Sequence, residues 1–165
     1  MKRSKIVIYS FAMLFVSGFC RAQQSSKNTP LEQVRKEITA SNAIYFQSFS
    51  RGDSSIFIGR YAKDCWIMPP NAPAIRGADA PITFWRKAYY EIGLRDGKFI
   101  TQDVFGDGKE YVTEIGLWQS FDANHKMFDH GKFLVLWKKT KTGWKMFRDS
   151  FSSDLEKADK PMAKN

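Results

Sequence analysis

The pattern of apolar and polar positions changes near residue 98 of this 165-residue chain. Before that point, apolar residues recur at intervals of three or four, the spacing of amphipathic helices. After it, apolar and polar residues alternate over four longer stretches, the spacing of half-buried strands. The sequence therefore predicts helices in the first half of the chain and a sheet in the second half.

The first helical segment has a clear start. Thr29 can cap it, and Pro30 suits the first helical position. We expect the helix to end at Gly52, because glycine readily adopts the left-handed conformation that terminates helices. A second, short helix is predicted over residues 54–61, with Asp53 as its cap.

Residues 61–85 join the helical and strand-like halves. They combine a short buried strand (65–68), a proline-rich turn, a glycine and an aromatic-faced helix. A strand that ends in such a turn and reverses into a helix can form one wall of a pocket. We therefore expect the rest of the domain to close a pocket against this stretch.

The strand-like half contains glycine-, aspartate- and asparagine-rich turns that suit hairpins. The strands are predicted at residues 99–104, 111–120, 127–139 and 144–152. Successive hairpins give an antiparallel sheet, and Gly116 can mark a bulge or bend that lets the sheet curl. The predicted fold class is α+β, with a strongly curved antiparallel sheet wrapped around the N-terminal helices to form a cone with an internal pocket.

The N-terminus has the features of an export signal. Basic residues precede an apolar run over residues 6–19, which is too short for a membrane span, and small residues favour cleavage after Ala22. We predict a signal peptide (1–22), a polar leader (23–28), a domain (29–154) and a polar tail (155–165). The predicted location is periplasmic or secreted, without stable membrane insertion. A lipoprotein acylated at Cys20 is the alternative, and the large Phe19 disfavours it.

The charge of the mature chain is lower than that of the full chain. The full chain has 26 basic and 17 acidic residues, a formal net charge of +9. Cleavage after Ala22 would remove four basic residues, so the mature net charge is about +5. Export and the lack of a recognised nucleic-acid-binding module argue against a nucleic-acid partner.

Cleavage would also leave Cys65 as the sole cysteine. A single cysteine forms no internal disulfide. Cys65 lies in an apolar strand with no histidine nearby in sequence, which favours a small buried hydrophobic residue over a catalytic thiol.

Several short motifs in order resemble one superfamily. They are Gly52-Asp53, Tyr61 with Asp64, Met-Pro-Pro-Asn-Ala-Pro at 68–73, Gly77, and the segments 129–138 and 143–149. This order is similar to the nuclear transport factor 2-like superfamily with its cystatin-like cone fold, and more narrowly to its exported SnoaL-like group of unknown function. The resemblance implies a homodimer through the sheet. It implies no single function, since the scaffold hosts isomerases, dehydratases, hydrolases and pure binding domains.

The resemblance extends to ketosteroid isomerase, an enzyme of related fold that uses carboxyl groups with tuned pKa values. That chemistry needs a tyrosine on the first helix, a carboxylate base after the first strand and a carboxylic acid on a later strand. Tyr45 matches the tyrosine, but Pro69 stands at the base, and Leu134 or Val135 at the acid. Steroid isomerisation by that set of residues is therefore not predicted.

Three residues are candidates for catalysis. Tyr45 could donate a hydrogen bond at the pocket floor or serve as a core aromatic. Asp64 could be a general base with a pKa raised by burial, or a structural acceptor. Asp149 alternates with Arg148 on the last strand, so one of them faces the pocket. Alternation places Trp144 and Met146 on the face of Arg148, but both faces carry apolar residues, and the choice stays open.

The ligand-binding candidates are mostly aromatic, and they could either line a cavity or fill it. They are Tyr45, Trp66, Met68, Trp85, Tyr89, Trp137 and Arg148. Arg148 could bind a carboxylate if it faces inward. The only histidines, His125 and His130, match no firm metal motif, so we predict neither a metal nor a cofactor.

Three functions fit these features. The first is an exported domain that binds a small apolar or amphipathic molecule without chemistry. The second is an acid–base enzyme, a lyase, isomerase or hydrolase, which requires a polar pair within hydrogen-bond reach inside the pocket. The third is an interaction protein with a filled cone and an apolar patch on the sheet exterior.

Overall fold

A computed structural model describes residues 29–155. The predicted signal peptide, the leader and all but the first residue of the tail lie outside these residues. The helices are α1 (Pro30–Tyr45), α2 (Gln47–Ser50), α3 (Ser54–Ile58) and α4 (Ala80–Arg86), which continues into a π-helical segment (Lys87–Ile92). The strands are β1 (Tyr61–Met68), β2 (Ile75–Arg76), β3 (Asp96–Gly106), β4 (Tyr111–Phe121), β5 (Met127–Thr140) and β6 (Gly143–Ser153).

The predicted helix caps are present, but the first helix is interrupted. The Thr29 side chain accepts a hydrogen bond from the Glu32 amide, and Asp53 accepts one from the Ser55 amide. The expected continuous helix up to Gly52 divides at Phe46 into α1 and α2. Gly52 has a φ of 65°, the left-handed conformation expected at this terminus;.

The six strands form one curved, unclosed sheet in the order β2-β1-β6-β5-β4-β3. The fold class is α+β, as predicted. The expectation of a purely antiparallel sheet is wrong in one place, because β1 pairs with β6 in parallel. This pairing joins the first long strand to the last one, and no hairpin pattern in the sequence announces it. The two-residue strand β2 was also not predicted.

The helices pack against the concave face of the sheet, where most of the core lies. Gly116 allows close packing on this face. A Cβ atom there would lie 2.4 Å from the Ile100 carbonyl oxygen and 2.7 Å from the Phe133 ring. The bulge expected near Gly116 lies in its partner strand, where the register shifts between Thr101 and Asp103.

The described helices are short. Within residues 29–155, no helix is long and apolar enough to cross a membrane.

Candidate functional site

A small chamber lies between the helices and the concave face of the sheet. Its volume is about 60 Å³, and its walls are largely aromatic. Tyr45 enters from the end of α1, and Ser120 and Asp149 enter from β4 and β6. A volume of this size holds a few water molecules or one polar group of a ligand.

Asp149 is the ionisable acid in the chamber wall. Its side chain is buried, and the Tyr61 hydroxyl donates a hydrogen bond of 2.6 Å to its Oδ2 atom. Burial raises the pKa of Asp149 to about 6. The Tyr61 hydrogen bond lowers this pKa, and the charge of Glu114 raises it further, but both effects are smaller than that of burial. A carboxyl with this pKa exchanges protons near neutral pH.

Tyr45 is both a chamber residue and a core aromatic, so the two alternatives for it are compatible. Its ring packs edge-on against Phe46 and Phe99 at centroid distances of 4.8 Å. Burial, and then the nearby Asp149 charge, raise the pKa of Tyr45 above its ordinary value. The hydroxyl therefore stays protonated, although a side-chain hydrogen bond with Tyr61 acts on its pKa in the opposite direction.

A β-bulge decides which residue of β6 faces inward. Leu136 pairs with Arg148 but the next residue, Trp137, pairs with Met146, so Phe147 is an extra residue in β6. The bulge shifts the alternation by one position. The expectation that Met146 shares a face with Arg148 is therefore wrong. Met146 and Asp149 are both buried on the concave side, and Arg148 lies on the outer face.

The chamber continues into a wider vestibule of about 560 Å³. Residues 69–75, the proline-rich stretch after β1, form one wall of the vestibule. Both cavities are lined by Phe84, Leu94, Trp118, Ser120 and Phe151. These shared walls place the chamber at the inner end of the vestibule.

Asp64 does not enter the chamber. Its side chain is 60% exposed, and the Lys138 ammonium group donates a 2.8 Å hydrogen bond to Oδ2. This hydrogen bond lowers the pKa of Asp64. The hypothesis of a buried general base with a raised pKa is therefore wrong for Asp64, whose carboxylate accepts a hydrogen bond from a lysine at the surface.

Trp66 and Arg148 also lie outside the cavities, on the outer face of the sheet. The Arg148 guanidinium lies 3.5 Å from the centroid of the Phe147 ring and 4.9 Å from that of Trp66. Its Nη1 atom donates to the Asp64 carbonyl oxygen at 3.1 Å. The expected anion-binding arginine inside the pocket is therefore not there, because the bulge at Phe147 turns it outward.

Four other ligand-binding candidates line neither the chamber nor the vestibule. Trp85 stacks between Phe49 and Tyr89 at centroid distances of 5.9 and 4.7 Å. Trp137 is fully buried. Met68, at the end of β1, is partly buried beside Ser150. Strand or helical spacing indicated burial correctly for Trp85 and Trp137, whereas Tyr89 is half-buried against the core and Met68 is half-buried on the outer face that Trp66 shares;.

Glu114 is a buried acid that the sequence reasoning missed. It is fully buried and accepts hydrogen bonds from Asn42 (2.7 Å), Thr101 (2.6 Å) and the Trp137 indole (3.0 Å). Burial raises its pKa, and the three hydrogen bonds act in the opposite direction. Alternation along β4, which places Glu114 on the face of Val112 and Trp118, could have identified it.

Cys65 is buried, and burial raises the pKa of its thiol to about 11. The thiol is therefore protonated at neutral pH and is a poor nucleophile. Among residues 29–155, no group of three or more histidine, cysteine, aspartate or glutamate side chains comes together as a metal site would require.

Comparisons with other proteins identify the fold. Neither the family models nor the curated proteins compared with this chain gave a match. Solved structures do match. One is a protein of unknown function from Shewanella oneidensis that is described as NTF-2 like; it is 17% identical, with a TM-score of 0.61 over 72% of this chain and 98% of that one.

Two further structures have a similar arrangement. A domain of unknown function with a cystatin-like fold from Nostoc punctiforme is 12% identical, with a TM-score of 0.64 over 75% of this chain and 79% of that one. A ketosteroid isomerase-like protein from Erwinia carotovora is 19% identical, with a TM-score of 0.60 over 79% of this chain and 99% of that one. At these identities the likeness concerns fold alone, and this chain has the cystatin-like fold of nuclear transport factor 2-like proteins.

Proposed function

We propose that the mature, exported protein binds a small apolar or amphipathic molecule in the vestibule. The observation that carries this proposal is the vestibule of about 560 Å³, with Phe84, Trp118 and Phe151 in its walls and a buried carboxyl beyond its inner end. Small-molecule sites in proteins are mostly apolar cavities of about 300–1,000 Å³ with a few polar groups. The exported location rests on the N-terminal sequence pattern.

The two cavities would take different parts of the ligand. The chamber, at about 60 Å³, is too small for a whole molecule and suits one polar group;. Asp149 receives a hydrogen bond only from Tyr61 among the described side chains, so it retains acceptor capacity;. We therefore expect a ligand with an apolar body and a hydrogen-bond donor at the end that reaches Asp149.

A blocking substitution tests this proposal. Thr83 is exposed in the vestibule wall, so Thr83→Trp should fill the cavity without disturbing the core. Thr142→Trp places the same side chain on the exposed β5–β6 turn as a control. Native mass spectrometry of protein purified from its own host should detect a small molecule on the wild type and the control only. Equal occupancy of Thr83→Trp would contradict the proposal.

The second candidate function is acid–base catalysis at Asp149. The specific observation in its favour is the polar pair of Tyr61 and Asp149, joined at 2.6 Å, with the Tyr45 ring in the same chamber wall. If the recovered molecule is a substrate, Asp149→Asn should abolish its turnover while leaving its binding within about threefold. Undiminished turnover by the folded variant would leave binding as the function.

The outer face of the sheet supports a third proposal, a homodimer. Ile100, Phe105 and Leu134 are 42%, 47% and 48% exposed on the outer side of β3 and β5. A sheet face with this much exposed apolar surface suits burial against a second copy of the chain. Leu134→Lys should shift the protein from dimer to monomer in analytical ultracentrifugation; a wild-type monomer would exclude this assembly.

A further inference from the structure

A shallow groove of about 560 Å³ lies between α1, α3 and the β5–β6 turn. It shares no lining residue with the chamber or the vestibule. Its walls contain two basic side chains, Arg60 and Lys145, and the hydroxyl-bearing Ser41. The groove has no part in the function proposed above.

Arg60 is an unusual residue in this groove because its guanidinium lacks a counterion. It is only 8% exposed, and its Nε atom is buried without a hydrogen-bond partner among residues 29–155. Burial lowers the pKa of Arg60, although arginine remains charged at neutral pH;. A buried charge without an ionic partner is costly, so arginines in such positions normally face a carboxylate or a phosphate.

Lys145 adds a second positive charge beside it. Its ammonium group donates to the Gly59 carbonyl oxygen, and both burial and the Arg60 charge lower its pKa. Of the ion pairs formed within residues 29–155, none includes Arg60 or Lys145. Two neighbouring cations in one groove therefore lack a neutralising partner in this part of the chain.

The opposite wall of the groove supplies another unpaired donor. The Ser41 hydroxyl, on α1, is buried and finds no hydrogen-bond partner in the part of the chain that the structure describes. Glu37 is the acidic residue lining the groove, and its carboxylate lies 3.8 Å from the Lys139 ammonium group. Glu37 therefore forms its ion pair with Lys139. The donor groups of Arg60, Lys145 and Ser41 can then bind a ligand that supplies a hydrogen-bond acceptor.

We propose that this groove binds a small oxyanion, a carboxylate or a phosphate group. The oxyanion would accept hydrogen bonds from the Arg60 guanidinium, the Lys145 ammonium and the Ser41 hydroxyl. Charge-assisted hydrogen bonds of this type are among the strongest in proteins. A dianionic phosphate would neutralise both cations, and a carboxylate would offset one of the two charges.

The test is a titration of the mature protein with inorganic phosphate and, separately, with sodium acetate, followed by amide NMR at constant ionic strength. We expect saturable shifts at Gly59 and Gly143, which line the groove. Lys145→Gln should weaken binding about tenfold, the effect of losing one charged hydrogen bond. Lys126→Gln removes the same charge from the exposed β4–β5 turn and should leave the affinity unchanged.

The outcomes are distinct. Saturation by phosphate, acetate or both, with loss only in Lys145→Gln, supports the proposal and identifies the oxyanion class. Linear, unsaturated shifts with both anions would overturn it, as would equal weakening in the two variants, which would indicate general charge attraction. The amide spectrum of each variant also reports whether it is folded. Because the vestibule is separate, failure here would leave the small-molecule proposal intact.

Discussion

The two buried acids, Glu114 and Asp149, lie on the same face of the sheet but differ in their surroundings. Glu114 accepts three side-chain hydrogen bonds and lines neither the chamber nor the vestibule. Asp149 accepts one, from Tyr61, and forms part of the chamber wall. Burial raises the pKa of both carboxyls. A raised pKa alone therefore does not distinguish a structural acid from a candidate binding group.

The number of hydrogen-bond donors and the neighbouring space make that distinction. A buried carboxylate whose donors are all supplied by the protein has little left to offer a ligand, and it fixes the elements that contact it. Glu114 joins α1, β3, β4 and β5 in this way. Asp149 has unused acceptor capacity next to a cavity, which is the arrangement expected of a ligand-facing group.

The largest effect that separates the two acids is expected from their replacement by leucine. Glu114→Leu keeps most of the side-chain volume but leaves three donors without an acceptor, so the free energy of unfolding should fall by about 3–6 kcal/mol. Asp149→Leu leaves only the Tyr61 hydroxyl without its acceptor and should lower the free energy of unfolding by about 1 kcal/mol at pH 4, where Asp149 is protonated and its replacement removes no buried charge;. Urea unfolding of both variants measures this difference. Greater destabilisation by Asp149→Leu would reverse the structural assignment.

The next effect is a pH dependence specific to Asp149. Its pKa is about 6 in the folded protein against an ordinary value of 3.8, so between these values the folded state binds more protons than the unfolded state. Stability should therefore fall as pH rises from about 4 to 7, by up to about 3 kcal/mol. Asp149→Asn should remove this part of the slope. Parallel pH–stability curves for wild type and variant would contradict the assignment.

A smaller effect should follow from Tyr61→Phe. The Tyr61 hydrogen bond lowers the pKa of Asp149, so its removal should raise that pKa further. The free energy of unfolding should fall by about 1 kcal/mol, the typical contribution of one hydrogen bond. Carbon-13 NMR of the aspartate carboxyls measures the pKa. Tyr90→Phe, at a position that is 72% exposed, is the matched control and should leave it unchanged.

The smallest effect is expected at Asp64, and its sign is opposite. The Lys138 hydrogen bond lowers the pKa of Asp64, so its contribution to stability is present above the ordinary pKa and is lost as the pH falls;. The pair is exposed to solvent, where ion pairs contribute little;. Asp64→Asn should therefore change stability least of these variants, and added salt should abolish the change. A larger loss than that of Tyr61→Phe would show that Asp64 is not a surface acid.

Local sequence signals predicted the elements well. The caps Thr29 and Asp53, the left-handed Gly52 and the four long strands all depend on neighbouring residues, and each appears where it was expected. The proline-rich stretch after β1 lines the vestibule.

Features that depend on pairing between distant strands were not predictable in the same way. The extra residue Phe147 is visible only in the register of β5 against β6, and it places Arg148 and Met146 on opposite faces, whereas simple alternation put them on the same face. The hydrogen bond between Tyr61 and Asp149 spans 88 residues and depends on β1 packing in parallel with β6. Single-strand alternation contains neither piece of information, so the site residues were harder to predict than the fold.

The most direct test of the central claim is a carbon-13 NMR titration that follows the carboxyl carbons of both buried acids while 4-hexylphenol, a probe with an apolar chain and a hydroxyl donor at one end, is added. Asp149→Asn and Glu114→Gln assign the two signals. We predict that the Asp149 signal shifts to saturation with probe binding and that the Glu114 signal stays unchanged. A saturating probe that leaves Asp149 unmoved, or that shifts Glu114 more, would contradict the assignment of Asp149 as the acid that faces the ligand.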